Sequence, residues 1–538
     1  MSELDPKREQ ANGADSPLAG RREWLGLAVL ALACVLYSMD LTVLHLAVPA
    51  ISADLEPTSA QLLWIVDIYG FMLAGSLLTM GTLGDRIGRR RLLLIGAFAF
   101  AAASLLAAFS TTAEMLIVSR ALLGIAGATL APSTLSLIRS MFHDARQRTT
   151  AIGVWITAFA VGAVIGPPIG GVLLEYFWWG SVFLLALPVM ALLLAIGPIL
   201  LPEYRDPDAG RLDLVSAALS LGAVLAAIYG LKRVALDGLE PVQALSIVAG
   251  MVLGVIFVHR QRRLADPLLD LRLFRVTAFS ASLATYLLAT FLLFAIFLFI
   301  YQYLQLVAGF SPLAAAAWGM PSAGAFIVGA MLTPPIAQRV SPGYVIATGL
   351  LIAAGGYGLL SLVEVGSSVA LVVASSIVFS LGLAPAFTLT TDLVVGSAPV
   401  ERAGSASAIS ETSSELGGAL GIAILGSVAA AIYRDEMAQA VPAGVPADAT
   451  AVAQDTLGGA VEVGSALPSS LGAELLDAAR ESFTQGLQVA AVSSAAIAAG
   501  TALMAAVLLR HIRPSASSET ESVHESAVGF DLEAERAV

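Results

Sequence analysis

The sequence predicts an all-α polytopic membrane protein with fourteen transmembrane helices. Three observations carry that expectation. Charged residues make up only 13% of the 538-residue chain, and hydrophobic ones 57%, whereas a soluble domain carries about 25% charge. Mean hydropathy is +0.84. Apolar segments recur along the chain, each long enough to cross a hydrocarbon layer of about 30 Å.

In order, these segments fall near 24–46, 61–82, 91–110, 114–137, 149–172, 178–201, 212–231, 243–260, 277–303, 313–337, 342–363, 367–394, 405–432 and 485–510. A polar tail, 1–23, precedes the first, and the apolar run after it is too long for a cleaved signal. No signal peptide is expected. The loops alternate in charge. Placing the N-terminus inside puts 23 Lys and Arg residues in the cytoplasm, among them Arg86, Arg89, Arg90 and Arg91. Only Lys232, Arg233, Arg434 and Arg480 would lie outside, and Arg120 falls within a span. The positive-inside rule then predicts both termini in the cytoplasm of a multi-pass plasma-membrane protein.

Asp40 stands alone as a charge in the first span between Glu23 and Asp54. It lies roughly 24 Å along the helix, at about 1.5 Å per residue. A carboxyl at that depth is costly and is expected to face an internal cavity. Tyr37, one turn earlier, is counted with it. His45 follows five residues later, about 140° around the helix, and is expected to face elsewhere.

The second span places Trp64, Asp67 and Phe71 on one face, because they are three and four residues apart. An aromatic ring beside a carboxylate suits a lipophilic cation through charge and cation–π attraction. An interfacial anchor is the alternative for Trp64. In the thirteenth span Glu411 and Glu415 stack at i, i+4 and make a candidate proton or cation site, with a helix-end cap as the alternative for Glu411. The ninth-span aromatics Phe291, Phe294, Phe297, Phe299, Tyr301 and Tyr303 are expected to face mostly lipid or the interface.

Gly81, Gly84 and Gly88 punctuate the loop Gly81-Thr82-Leu83-Gly84-Asp85-Arg86-Ile87-Gly88-Arg89. Glycines there permit a tight turn and close helix approach, and Asp85 can face a helix N-terminus. A weaker echo occurs at Ala337-Gln338-Arg339-Val340-Ser341-Pro342-Gly343. Arg120 lies inside the fourth span, where an arginine needs an acid or carbonyl partner unless it snorkels to the headgroups. The fifth span carries Gly162, Gly166, Pro167, Pro168, Gly170 and Gly171. The glycines permit close packing, and the prolines are expected to kink the helix.

These stretches resemble the major facilitator superfamily, and specifically its fourteen-span drug:proton antiporters, across residues 20–513. The resemblance implies two homologous six-helix halves, 24–201 and 277–510, with an inserted pair of helices at 212–260. The loop at 81–89 corresponds to a conformational switch, Arg120 to proton coupling, and Gly162 to Gly171 to the antiporter motif that marks exporters. Related exporters carry functional acids in spans one and thirteen, matching Asp40, Glu411 and Glu415. Some also carry one in span ten, but 313–337 contains none.

A proton-coupled exporter of quaternary ammonium compounds and dyes is therefore expected. Exporters of neutral or anionic antibiotics and flippases of lipid or cell-envelope precursors remain open. An enzyme is not expected, since His is scarce and the single Cys34 excludes a cysteine metal cluster. No Gly-x-x-x-x-Gly-Lys loop occurs, so the proton gradient rather than ATP is the expected driver, with no cofactor. The expected partners are small lipophilic cationic drugs, protons and membrane lipids, without nucleic acid, and the chain is expected to act as a monomer. Residues 433–484 hold eight acids against two arginines, net −6, and are expected to form an ordered acidic insertion with a short amphipathic helix at 471–480. An acidic tail, 511–538, closes the chain.

Overall fold

The computed structural model describes residues 18–205, 213–237, 240–264, 267–269, 271–397 and 403–512. The tails 1–17 and 513–538 lie outside the described residues, as do Arg211 and Arg402 of the cytoplasmic charge set. Among the described residues every regular element is helical, and fourteen helical stretches are long and apolar enough to span a membrane.

The first half contains α1 (Arg21–Leu55), α2 (Ser59–Ile87), α3 (Arg89–Ala108), α4 (Ala113–Gly127), α5 (Leu130–Met141), α6 (Ala145–Tyr176), α7 (Ser181–Leu184) and α8 (Ala186–Leu200). The fourth span is thus divided between α4 and α5, and the sixth between α7 and α8. Polar residues start the helices where orphan N–H groups need acceptors. Thr58 and Gln61 form a reciprocal capping box on α2, and Asp144 caps α6 through the Gln147 amide. The α6 helix runs on through Pro167 and Pro168, which neighbouring helices permit in an apolar medium.

A hairpin of α9 (Leu214–Asp237) and α10 (Pro241–Gln261) follows. Arg260 Nη2 meets Asp213 Oδ1 at 2.9 Å and ties its two ends together. The second half comprises α11 (Thr277–Gln302), α12 (Pro312–Ala337), α13 (Pro342–Leu360), α14 (Val369–Gly396), α15 (Ala403–Ala440), α16 (Ala447–Asp455), α17 (Leu457–Ala466) and α18 (Ser469–Leu508). Two large apolar cores result, one drawn mainly from residues 27–201 and the other mainly from 281–509. The α9 helix packs on both α2 and α15, where Val224, Leu225 and Ile228 meet Trp64, Phe71, Leu416 and Ala419. It therefore covers one of the seams between the halves.

Two expectations need correction. The ninth-span aromatics are not lipid-facing: Phe291, Phe299, Tyr301 and Tyr303 are buried, and Phe294 and Phe297 are half-buried. The α11 helix touches α1, α14, α15 and α18, and a helix that is apolar all round is a buried one. The amphipathic segment 471–480 is not a separate short helix either. It forms the first turns of α18, which continues unbroken to Leu508.

The acidic insertion is ordered. Tyr433 Oη donates to the Ala453 carbonyl at 2.8 Å, and Arg480 Nε to the Leu306 carbonyl at 3.2 Å, which anchors it to the second half. It also reaches the first half. The Ser59 amide donates to Asp455 Oδ2 at 3.0 Å, and the Ser59 hydroxyl donates to Asp455 Oδ1 at 2.6 Å. Gly458 lies so close to Ser52 that a Cβ would sit 2.5 Å from the Ser52 Cβ.

Candidate functional site

The site is built on α1, and α6 sets where α1 runs. Gly162, Gly166 and Gly170 lie one turn apart on α6. A Cβ at these positions would collide in turn with the Val35 carbonyl, the Thr42 hydroxyl and the Val43 side chain. Small residues at this spacing let two helix backbones approach closely. Gly171 serves a different contact: its Cβ would sit 2.9 Å from Leu313 Cα on α12, in the second half. The glycine-rich stretch thus presses the Asp40 segment inward and joins the halves along the opposite seam from α9.

Asp40 and Arg120 meet at the centre of the first half. Arg120 Nη1 lies 2.8 Å from Asp40 Oδ2, and its Nε donates to the Ile65 carbonyl at 3.4 Å. The guanidinium also sits 4.5 Å from the centre of the Tyr69 ring. Arg120 is only 2% exposed, so it does not snorkel from the end of its span. A buried guanidinium needs acceptors on several sides; α1 supplies the Asp40 carboxylate and α2 the Ile65 carbonyl.

Beside this pair lies a cavity of about 30 Å³, lined among others by His45, Asp67, Tyr69, Arg120, Phe294 and Glu415. It draws residues from both halves. Tyr37 Oη donates to Glu415 Oε1 at 3.1 Å, linking α1 directly to α15. Asp67 is 1% exposed. Glu411 lies one turn from Glu415 toward the N-terminus of α15 and does not line this cavity. Trp64 does not line it either; it packs instead beside Phe71 where α9 docks. There Trp64 packs edge-on to Phe71, with ring centres 6.4 Å apart.

His45 lines the central cavity, whereas Asp40 does not. The histidine is 4% exposed, and its ring centre lies 6.3 Å from that of Phe294. Asp40, about 140° away around the helix, turns toward Arg120, and of that pair only Arg120 lines the cavity. Only the histidine's unusual depth in an apolar span could have flagged it. Nothing in the sequence singles out Tyr69, and Phe294 stands there only within an aromatic run expected to face mostly lipid or the interface.

The glycine-rich loop occupies one end of the first half. Arg89 Nε donates to Asp85 Oδ1 at 2.7 Å, so Asp85 faces the first turn of α3. Gly88 has φ +107°, a conformation that side chains rarely adopt. The Gly88 amide donates to the Gly84 carbonyl at 3.0 Å. Glu203 binds the Arg90 amide at 3.1 Å and ties the loop to the end of α8. Arg86 is exposed, and Gly81 lies near Pro132 of α5.

At the other end, a basin of about 650 Å³ opens among Glu364, Glu436, Glu481, Gln485 and Gln488. It shares no residue with the central cavity. Among the described residues no group of three or more His, Cys, Asp or Glu side chains is arranged to hold a metal ion.

The profile of the Major Facilitator Superfamily matches residues 30–422. The chain is 43% identical over 489 residues to the multidrug efflux pump LfrA of Mycolicibacterium smegmatis, covering 91% of this chain and 97% of that protein. It is 35% identical over 483 residues to the methyl viologen resistance protein SmvA of Salmonella typhimurium, covering 88% and 95%. Among solved structures, a bacterial homologue of the human lysosomal transporter Spinster, inward-facing and unoccupied, superposes with a TM-score of 0.62 at 18% identity. That match covers 92% of this chain and 99% of that one, and its likeness is one of fold. The profile match, the near-full-length relatives and the fourteen apolar helices together mean that this chain is a multi-pass membrane transporter belonging to the Major Facilitator Superfamily.

Proposed function

We propose that the protein is a proton-coupled multidrug efflux antiporter that exports lipophilic cations by alternating access. The observation that carries this reading is the set of acids converging on one buried centre from both halves: Asp40 and Asp67 from the first, Glu415 from the second. A carboxyl can hold a cation or a proton but not both well, and that competition couples the two. The relatives' names support the same reading, since one is a multidrug efflux pump and methyl viologen is itself an organic cation.

With the basic loops in the cytoplasm and the acidic insertion outside, the cycle runs as follows. The ionised acids take a cation from the cytoplasm. The halves then rock to open outward, external protons replace the cation, and the protons leave inward. Export needs no bound cofactor. One proton crossing about 100 mV supplies about 2.3 kcal/mol, and each pH unit about 1.4 kcal/mol. Each pH unit can sustain a tenfold gradient of cargo per proton; the potential adds to it only where more charge enters as protons than leaves as cation.

Inverted vesicles test this directly. Asp40→Asn is expected to abolish cation-driven proton movement, and full retention would remove Asp40 from the mechanism. A susceptibility panel of monovalent cations, divalent cations and neutral compounds defines the cargo. Resistance confined to neutral compounds would overturn the cationic assignment.

A further inference from the structure

We propose that His45 is the group that receives the external proton and passes it to the central acids, a role that rests on the proton coupling proposed above. The placement of His45 carries the argument. It lies five residues beyond Asp40 on α1, toward the end that carries the acidic insertion. The next residue is part of the closure at that end: Gln305 Nε2 donates to the Leu46 carbonyl at 3.1 Å, holding α1 against the turn after α11. His45 therefore stands between the outer closure and the acids.

It is also chemically free to act. Its ring packs edge-on to Phe294, and neither ring nitrogen has a hydrogen-bond partner among the described residues. Imidazole is also the one side chain whose ordinary titration falls near neutral pH. The ionisable groups that share the cavity wall with it are Asp67 and Tyr69 on α2, Arg120 on α4 and Glu415 on α15; α11 contributes only Phe294. Asp40 on α1 reaches the same wall through its ion pair with Arg120.

The size of the space separates a proton role from a cargo role. A cavity of about 30 Å³ has room for one or two waters. That is enough to bridge an imidazole nitrogen to a carboxyl and pass a proton, and far too small for a dye. His45 is thus joined to Asp67 and Glu415 by a proton-sized connection. The relay balances without further reactants: the imidazole takes a proton at one nitrogen from the outer side and releases one from the other nitrogen toward a carboxylate.

The test uses the full-length protein in proteoliposomes, with ethidium as cargo and external pH varied at fixed internal pH. Wild type is expected to show a bend in proton-driven export as external pH is varied. In His45→Gln the bend should vanish and proton-driven export at neutral external pH should fall by on the order of a hundredfold. Ethidium counterflow, which needs no net proton movement, should stay within about twofold of wild type. Retained counterflow also shows that the variant is folded; His45→Asn, shorter and still polar, serves as the second variant. A persisting bend with normal proton-driven export would overturn the proposal. So would a parallel loss of ethidium affinity and counterflow, which would make His45 a cargo contact. Absence of proton movement in wild type would instead overturn the proton coupling itself.

Discussion

Tyr37 on α1 donates a hydrogen bond to Glu415 on α15 across the boundary between the two halves, 3.1 Å from Oη to Oε1. Tyr37 is 1% exposed and Glu415 9% exposed, so water cannot easily replace either partner. The bond makes closure of the halves and occupancy of the Glu415 carboxyl parts of one event. Anything that takes the carboxyl's second oxygen or changes its charge acts directly on the contact that holds α1 to α15.

Tyr37→Phe removes the donor and keeps the ring. Losing a hydrogen bond to a buried carboxyl is expected to cost about 1–3 kcal/mol. The purified protein should show a lower Tm, and cells should show weaker export. An unchanged Tm together with unchanged export would mean that the bond contributes to neither.

Asp40→Asn leaves the Arg120 guanidinium buried without its counter-ion, and breaking a buried pair from one side costs about 3–5 kcal/mol. Replacing both groups, Asp40→Leu with Arg120→Met, is expected to recover much of that stability while export stays absent. Thermal unfolding of Asp40→Leu, Arg120→Met and the double variant closes the cycle. Additive losses would show that the two side chains are not coupled.

Gly166→Ala drives a methyl group into the Thr42 hydroxyl. Overpacking of this kind costs about 1–3 kcal/mol. Adding Thr42→Ala removes the obstructing oxygen and should restore part of the lost stability and export. Met39 Cα would lie 3.3 Å from the new Cβ, so full recovery is not expected. The informative comparison is the Tm of Gly166→Ala with and without the second substitution.

The acidic insertion should respond to external pH. Burial, the facing charge of Glu56 and a hydrogen bond with it push the Glu462 carboxyl above the usual carboxylate range. Glu56 ends α1 in a left-handed conformation, φ 44°, and Glu462 lies on α17. A carboxyl raised in the docked state binds its proton more tightly there than when undocked. Docking is therefore strongest below the ordinary carboxylate range and weakens as pH rises through the raised value. Hydrogen exchange of residues 447–466, corrected for intrinsic rates, should show protection falling from acid to neutral pH. Glu462→Gln should keep protection high at both. An identical pH response in wild type and variant would place the sensitivity elsewhere.

The segmental hydrophobicity, the fourteen spans and the charge of the loops could all be read directly from the chain, because membrane insertion acts on each segment's own composition. So could the acids at 40, 67, 411 and 415, the arginine at 120 and the two glycine-rich motifs, since each breaks the pattern of its span. Their partners could not. Asp40 finds Arg120 eighty residues away, and Tyr37 finds Glu415 in the other half; no local periodicity encodes either pairing. Helical phase separated Asp40 from His45, but it could not show that His45 lines the central cavity while Asp40 turns to Arg120. Trp64 and Asp67 parted as well: only Asp67 lines the cavity, and Trp64 packs where α9 docks. Composition alone set how many times the chain crosses an apolar layer. Which acids share a cavity, and which aromatic rings line it, was decided by helix packing, where contacts between residues hundreds of positions apart are settled by shape and by the need of buried charges for partners.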